Sequence, residues 1–303
     1  MILFSTMNLH HQGDMFEQYA GRALRTVPSI MVAATLLLGC TAEAQDWRSV
    51  SSARQVLDRS PLDVQIQYGA GELRIEPAAA PMLYTMEMRY DERHFRPITT
   101  YSAADRTLKL GTEGREQRRG NINVREGGRA TIGLTREVPL DLQLQFGAGE
   151  ADLDLGGVSL RRLTISTGAS ETKVRFSERN PIAAQQVRME AGAASLEVTG
   201  LANTRAERFT FQGGVGSTML DFSGQWTRSA TASVQMGIGS VILRVPRGVG
   251  VRVSRSSFLS SFDSEGLMKR GNSFYSADWD TAAHQLDISV NAAFGSIKIE
   301  WIG

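Results

Sequence analysis

From residue 62 onward, apolar and polar residues alternate singly along most of the chain. Leu140, Leu142, Leu144 and Phe146 are apolar, while Asp141, Gln143 and Gln145 between them are polar. After Gly147-Ala148-Gly149-Glu150 the alternation resumes, with Ala151, Leu153 and Leu155 set against Asp152 and Asp154. A period of two predicts strands with one buried face. No segment beyond the first 45 residues carries a long 3.6-residue period, so little helix is expected.

The pattern is itself repeated. Leu62-Asp-Val-Gln-Ile-Gln-Tyr-Gly-Ala-Gly-Glu72 and Leu140-Asp-Leu-Gln-Leu-Gln-Phe-Gly-Ala-Gly-Glu150 agree at eight of eleven positions. Weaker copies end on Glu171, Ser195, Ser217, Ser240 and Ser296. From Glu150 to Ser240 these residues are 21, 24, 22 and 23 apart. The last interval is 56, which predicts an insertion over 254–283. Each unit reads as strand, glycine turn, strand and connector. The residues assigned to the turns are Gly69, Gly71 and Glu72, then Gly147, Gly149 and Glu150, then Gly168 and Glu171, then Gly192 and Ser195. They continue as Gly214, Gly216 and Ser217, then Gly237, Gly239 and Ser240, and finally Gly295 and Ser296. Glycine permits the positive φ of a tight bend, and the Glu or Ser accepts a turn hydrogen bond.

Two short strands per unit cannot bury an apolar face alone, but stacked units can. The expected fold is therefore an all-β solenoid of about 22-residue, two-strand rungs, with a β-sandwich of hairpins as the alternative. Stacking would place Leu144, Ile165, Met189, Phe211, Val234 and Val290 in one inward column. Residues 45–133 are less regular and form an N-terminal region. The repeats occupy 134–303. Residues 114–130 read as a surface loop whose five arginines make a small basic patch. The insertion, with Phe258, Phe262, Phe274, Tyr275 and Trp279, reads as a cap over an open strand edge.

The first 44 residues read as an export leader. Arg22 and Arg25 precede an apolar stretch of about a dozen residues, too short to span a bilayer of ~30 Å as a helix. Two endings compete. Leu37-Leu38-Gly39-Cys40 has the form of a lipobox, which would make Cys40 the lipidated N-terminus. Ala42-Glu43-Ala44 has the form of an ordinary cleavage site, which would leave Gln45 first. Cys40 is the only cysteine, which suits the lipobox and excludes an intrachain disulfide framework.

With 33 Lys and Arg against 32 Asp and Glu, the net charge of +1 gives no reason to expect a nucleic-acid partner. His10 and His11 fall in the leader. His94 and His284 read as surface residues, so no metal or cofactor is expected. Glu150 and Glu171 occupy equivalent places on consecutive repeats, a pair that glycoside hydrolysis could use. Ser in the same place later in the series favours a turn role instead. Asp152 and Asp154 beside Glu150 are a weaker candidate for Ca²⁺. Gly168-Ala-Ser170 and Gly213-Gly-Val-Gly-Ser217 lack a partnered base or a following P-loop lysine and read as turns.

The run from Glu137-Val-Pro-Leu through Leu155-Gly-Gly-Val158, with Ser177-Glu-Arg-Asn-Pro181, resembles the bacterial toast-rack domain. That domain is similar to the C-terminal region of the cell-wall-active antibiotic response protein LiaF and to candidate-adhesin families of unknown function. The likeness spans 45–303 and includes Phe222-Ser-Gly-Gln-Trp226, Val245-Pro-Arg-Gly-Val-Gly-Val251 and Phe294-Gly-Ser-Ile-Lys-Ile299. It implies a right-handed β-helix-like stack at the cell envelope, with no established catalytic site. LiaF proteins carry transmembrane helices ahead of this domain and act on a sensor kinase. This chain has a cleavable leader there, so that role is not carried over. The expected function is a non-catalytic envelope interaction or scaffold module, exported and held to the membrane by a lipid anchor alone. Its partner would be an envelope protein or a cell-wall polymer. A carbohydrate-active enzyme is the alternative.

Overall fold

The computed structural model describes residues 46–115 and 128–303. The leader with Cys40, and most of the Arg-rich segment over 114–130, lie outside the described residues. So does the side chain of Phe258. Among the described residues, fifteen strands form one mixed, open sheet. They are β1 (Trp47–Gln55), β2 (Leu62–Pro77), β3 (Met82–Asp91), β4 (Phe95–Ser102), β5 (Thr107–Gly114), β6 (Gly128–Leu134), β7 (Leu140–Asp154) and β8 (Leu160–Arg175). The rest are β9 (Gln186–Thr199), β10 (Arg208–Asp221), β11 (Ala230–Pro246), β12 (Gly250–Asp263), β13 (Met268–Arg270), β14 (Ser273–Tyr275) and β15 (Gln285–Ile302). One short 3₁₀ turn, Leu201–Thr204, lies in a connector. Among the described residues no helix is long and apolar enough to cross a membrane.

Eight long strands stack in parallel in the order β2, β7, β8, β9, β10, β11, β15, β12. The parallel register excludes the sandwich of antiparallel hairpins over this region. The expected inward column forms: Leu144 pairs with Ile165, Ile165 with Met189, Met189 with Phe211, Phe211 with Val234, and Val234 with Val290. All six are buried.

The glycine segments are not turns between separate strands. Each long strand runs through its corner segment, which is Gly-x-Gly in β2, β7, β10 and β11, and bends there. In β7 the buried apolar residues are 140, 142, 144 and 146 before the bend and 151 and 153 after it, so the buried parity shifts at the corner. That shift lets both legs face one core. The ring of Phe209 meets that of Phe222 from the far leg edge-on at 5.6 Å, and Tyr68 and Phe146 stack in register at 6.2 Å.

The two glycines of a corner serve different ends. The second, as at Gly149, has φ of +119°, and a Cβ there would lie 2.1 Å from the carbonyl oxygen of Gly71 on the adjacent rung. The first, as at Gly237, has no left-handed φ, yet a Cβ would lie 2.5 Å from the Gly214 oxygen. Close stacking of corners, more than backbone freedom, requires that first glycine.

Two places depart from simple repetition. β12 is a full rung that pairs in parallel with β15 on its outer side, so the chain passes one position and returns to fill it. Most of that rung lies within the expected insertion, because Ser260-Ser261 stands where other corners carry Gly-Ser. At the other end, β5 pairs with the first leg of β2 and β6 with its second leg, so together they make one rung broken at the corner. Antiparallel strands finish the stack there, β4 on β5 and β3 then β1 on β6. At the far end β14 and β13 fold antiparallel onto β12. Phe274 packs against Phe262 at 4.8 Å and Tyr275 against Trp279 at 5.6 Å, so these aromatic residues pack on one another at the last rung.

Connectors are tied rung to rung by Asn180, which is buried. Its amide donates to the oxygens of Leu160 (2.7 Å) and Thr204 (3.3 Å), and its oxygen accepts from the Leu160 nitrogen at 3.1 Å. Nothing in the strand period singles this residue out.

Leu144→Asp should remove the cooperative unfolding transition seen by circular dichroism. A buried unpaired charge costs several kcal/mol against a net stability of about 5–15 kcal/mol. Gln143→Asp, one residue away on the exposed face, should fold with a midpoint close to that of the parent.

Candidate functional site

Parallel register converts each repeat position into a row running across the sheet. The residue after the corner forms one such row: Arg129, Glu72, Glu150, Glu171, Ser195, Ser217, Ser240, Ser296 and Ser261. The structure therefore brings Glu150 and Glu171 together as the repeat implied, and adds Glu72 beside them. The three line an open concavity of about 640 Å³ with Arg129, Asp152 and Lys173. A second hollow of about 560 Å³ adjoins it through Glu72 and Arg129, with Trp47 and Arg89 on its wall. The Arg89 guanidinium lies 4.4 Å from the Trp47 ring centroid.

The charges of this concavity are mostly paired. Arg129 donates to Glu72 at 2.6 Å and holds its carboxyl below the usual range. Lys173 sits 3.0 Å from Glu171, and Arg175 sits 2.6 Å from Asp152. Asp154 accepts from the Ser177 hydroxyl and the Gly156 amide. Among the described residues no three potential ligands group to hold a metal ion. General-acid catalysis by a carboxyl wants its pKa raised. Every displaced carboxyl among the described residues moves the other way: Asp58, Glu72, Asp91, Asp141, Glu178 and Glu300.

The serine half of the row is simpler. Ser217 donates to the Ser195 hydroxyl at 3.2 Å. Ser170 lies one row earlier, inside the corner, and shares a hydrogen bond with Thr172 at 3.0 Å.

Two residues behave differently from their expected surface roles. His94 is mostly buried, and its Nδ1 lies 2.6 Å from Asp91 in the N-terminal cap. Asp141 belongs to the outward set of β7, yet it is buried. A bulge in β8 at the Leu140/Asp141 register lets both Arg161 and Arg162 reach it. Burial pushes the Asp141 carboxyl up, but the two guanidinium groups outweigh it and bring it down to about 2.

These features define a class: a parallel β stack whose accessible chemistry lies in rows across its outer faces. Residues 43–199 match the family model for the N-terminal domain of toast_rack, more than half of the chain. The chain belongs to that family. Residues 199–299 match the model for the C-terminal region of the cell wall-active antibiotics response protein LiaF. Among curated proteins none matches the chain. Among solved structures, a candidate cell adhesion protein from Clostridium sporogenes aligns over 84% of this chain and 100% of its own, with 15% identity and a TM-score of 0.45. A candidate adhesin from Bacteroides fragilis aligns over 84% and 98%, with 13% identity and a TM-score of 0.39. A candidate lipid binding protein from Parabacteroides distasonis aligns over 85% and 97%, with 12% identity and a TM-score of 0.30.

Two predictions follow from the electrostatics. The folded Asp141 pKa lies below its unfolded value near 3.9, so its stabilisation is complete above about pH 4 and is lost as pH falls through 2. Asp141→Asn should lower stability at pH 7 by about 2 kcal/mol, with the difference closing toward pH 2 in denaturant melts. Glu171, in contrast, is exposed and holds only an exposed lysine. Glu171→Ser, which copies Ser195 on the next rung, should change stability by less than about 1 kcal/mol.

Proposed function

We propose that this protein is an exported, non-catalytic interaction or scaffold module of the bacterial cell envelope, anchored by lipid on Cys40. In this reading the stack is a right-handed solenoid, as parallel crossover connections generally are. Its partner is a cell-wall polymer or an envelope protein. The observation that carries the proposal is the outer surface itself. Eight stacked rungs present polar rows, and three of the five carboxylates lining the concavity beside Arg129 (Glu72, Asp152 and Glu171) are held by cations of the same sheet. Such rows suit recognition of an extended partner better than acid–base chemistry. The match of the C-terminal third to a region named for the response to cell wall-active antibiotics supports the envelope setting.

Export and anchoring are tested on the full chain made in a bacterial host. Mass spectrometry of the mature protein should find an acylated N-terminal Cys40. A soluble product beginning at Gln45 would remove the anchor and leave export standing. Interaction is tested by co-sedimentation with purified cell-wall sacculi, which should retain the protein. Release of reducing sugar by the parent, lost in Glu150→Gln/Glu171→Gln, would sink the non-catalytic reading.

A further inference from the structure

Across the corners runs a line of partly exposed apolar side chains. Going along the stack, its outward residues grow from Ala148 and Ala169 through Ala193 to Val215, Ile238 and Phe294. Val215 and Ile238 are each 53% exposed and Phe294 is 44% exposed. Their register is direct: Val215 pairs with Ile238 and Ile238 with Phe294. Large apolar side chains in this exposed position contribute little to the core, and contiguous exposed apolar residues commonly mark a contact surface.

The rows on either side of this ridge are polar and uncharged. Before it come Gln212, Gln235 and Asn291; after it come Ser217, Ser240 and Ser296. At its smaller end lies a shallow hollow of about 400 Å³, left where Gly192, Gly213 and Gly214 bring no side chains. Glu190 and Gln212 on its wall share one guanidinium. Arg188 donates to Glu190 at 2.7 Å and to Gln212 at 3.4 Å, and Ser166 donates to Glu190 at 3.4 Å.

An occupant must match an apolar strip bordered on both sides by neutral amides and hydroxyls. A peptide adding as a strand is excluded at this place, because the ridge crosses the middle of the sheet, where neighbours on both sides already pair. An anionic membrane surface would call for free cations beside the ridge; its flanking rows carry none, and the nearby Arg188 is paired with Glu190. A second copy would need about 800 Å² per partner for a stable interface, more than three half-exposed side chains supply. A pyranose chain fits. Its ring faces are C–H surfaces and its rim is hydroxyl groups, each both donor and acceptor, as are the amides of Gln and Asn and the hydroxyl of Ser. Rungs recur every ~4.8 Å, about the length of one hexose in an extended glycan.

We infer that the ridge Val215–Ile238–Phe294 and the hollow beside Gln212 form a binding track for a neutral, linear polysaccharide laid across the rungs. This rests on the envelope-module reading and narrows its partner to a glycan. The full chain is titrated calorimetrically with chitohexaose and with cellohexaose. At least one should bind, and Val215→Ser/Ile238→Ser and Gln212→Ala should each weaken that binding tenfold or more. The thermal transition should be unchanged, since all three positions lie at the surface. Glu171→Ser, in the charged concavity, should bind as the parent does. The inference is overturned if neither hexasaccharide binds or if the ridge variants bind equally well. Ridge-dependent dimerisation in sedimentation, or ridge-dependent binding to phosphatidylcholine vesicles, would also overturn it by naming another occupant. Sacculi retained equally by parent and ridge variants would sink the track and leave the envelope module intact. Loss of both sacculus and hexasaccharide binding in the parent would remove both.

Discussion

Parallel strands stacked in register at ~4.8 Å leave little room for a Cβ where they bend, and only the small residues Ser170, Ala194 and Ser260 stand where the other rungs carry the second glycine. A methyl group on Gly149 would sit on the carbonyl of Gly71, and one on Gly168 would sit 2.3 Å from the carbonyl of Gly147. Because each corner must nest in the one before it, the bend has to fall at the same residue in rung after rung. Once the corner is fixed, the alternation on both legs is fixed with it. The buried parity changes there, and both legs then point apolar side chains at one core. The glycine signature is thus a stacking constraint before it is a turn signal.

The same register sets the electrostatic problem of the fold. Identical residues stack on identical residues, so a charged position in a repeat becomes a column of like charge, which is unfavourable between adjacent strands. Glu72, Glu150 and Glu171 are such a column. Cations placed close by relieve it: Arg129 on the adjoining strand and Lys173 two residues along β8. Elsewhere opposite charges face each other directly in register, as Arg244 with Glu300 and Arg252 with Asp287. Beyond Glu171 the row changes to serine, which stacks without repulsion and hydrogen-bonds along the row. This drift from Glu to Ser is intelligible as relief of like charge, and it separates the charged end of the stack from the neutral one.

The sequence made the rungs legible because one period recurs with its glycines in place. It located the inward column from Leu144 to Val290 and the row holding Glu150 and Glu171 by alignment of repeats alone. What it obscured has specific causes. β12 was hidden because Ser260-Ser261 replaces the glycine signature and because the chain places this rung out of order. The rung made of β5 and β6 was hidden because the chain breaks at its corner. Asp141 looked like one more outward polar residue, since a bulge at Arg161 is invisible to a period of two. His94 and Asn180 take their roles from partners distant in sequence: Asp46 and Asp91 meet near the first, and Leu160 and Thr204 close on the second.

A stack of this kind separates its fold from its surface. Inward residues and those at the second glycine position of each corner answer to neighbours above and below, so the former stay apolar and the latter stay small. Outward residues answer only to solvent, to charge balance along a row, and to any partner. A row that departs from what those first two demand therefore carries information about the third. The acidic row does not depart, since its cations explain it. The ridge does. Solvent would favour a small or polar residue at Val215, Ile238 and Phe294, as the Ala at 148, 169 and 193 shows the corner accepts. Bulk and apolarity instead increase over successive rungs toward the neutral end, where the rows beside Val215, Ile238 and Phe294 are amides and serines. The glycan track proposed for this ridge would account for its exposed part, Val215 and Ile238, which are each half open to solvent.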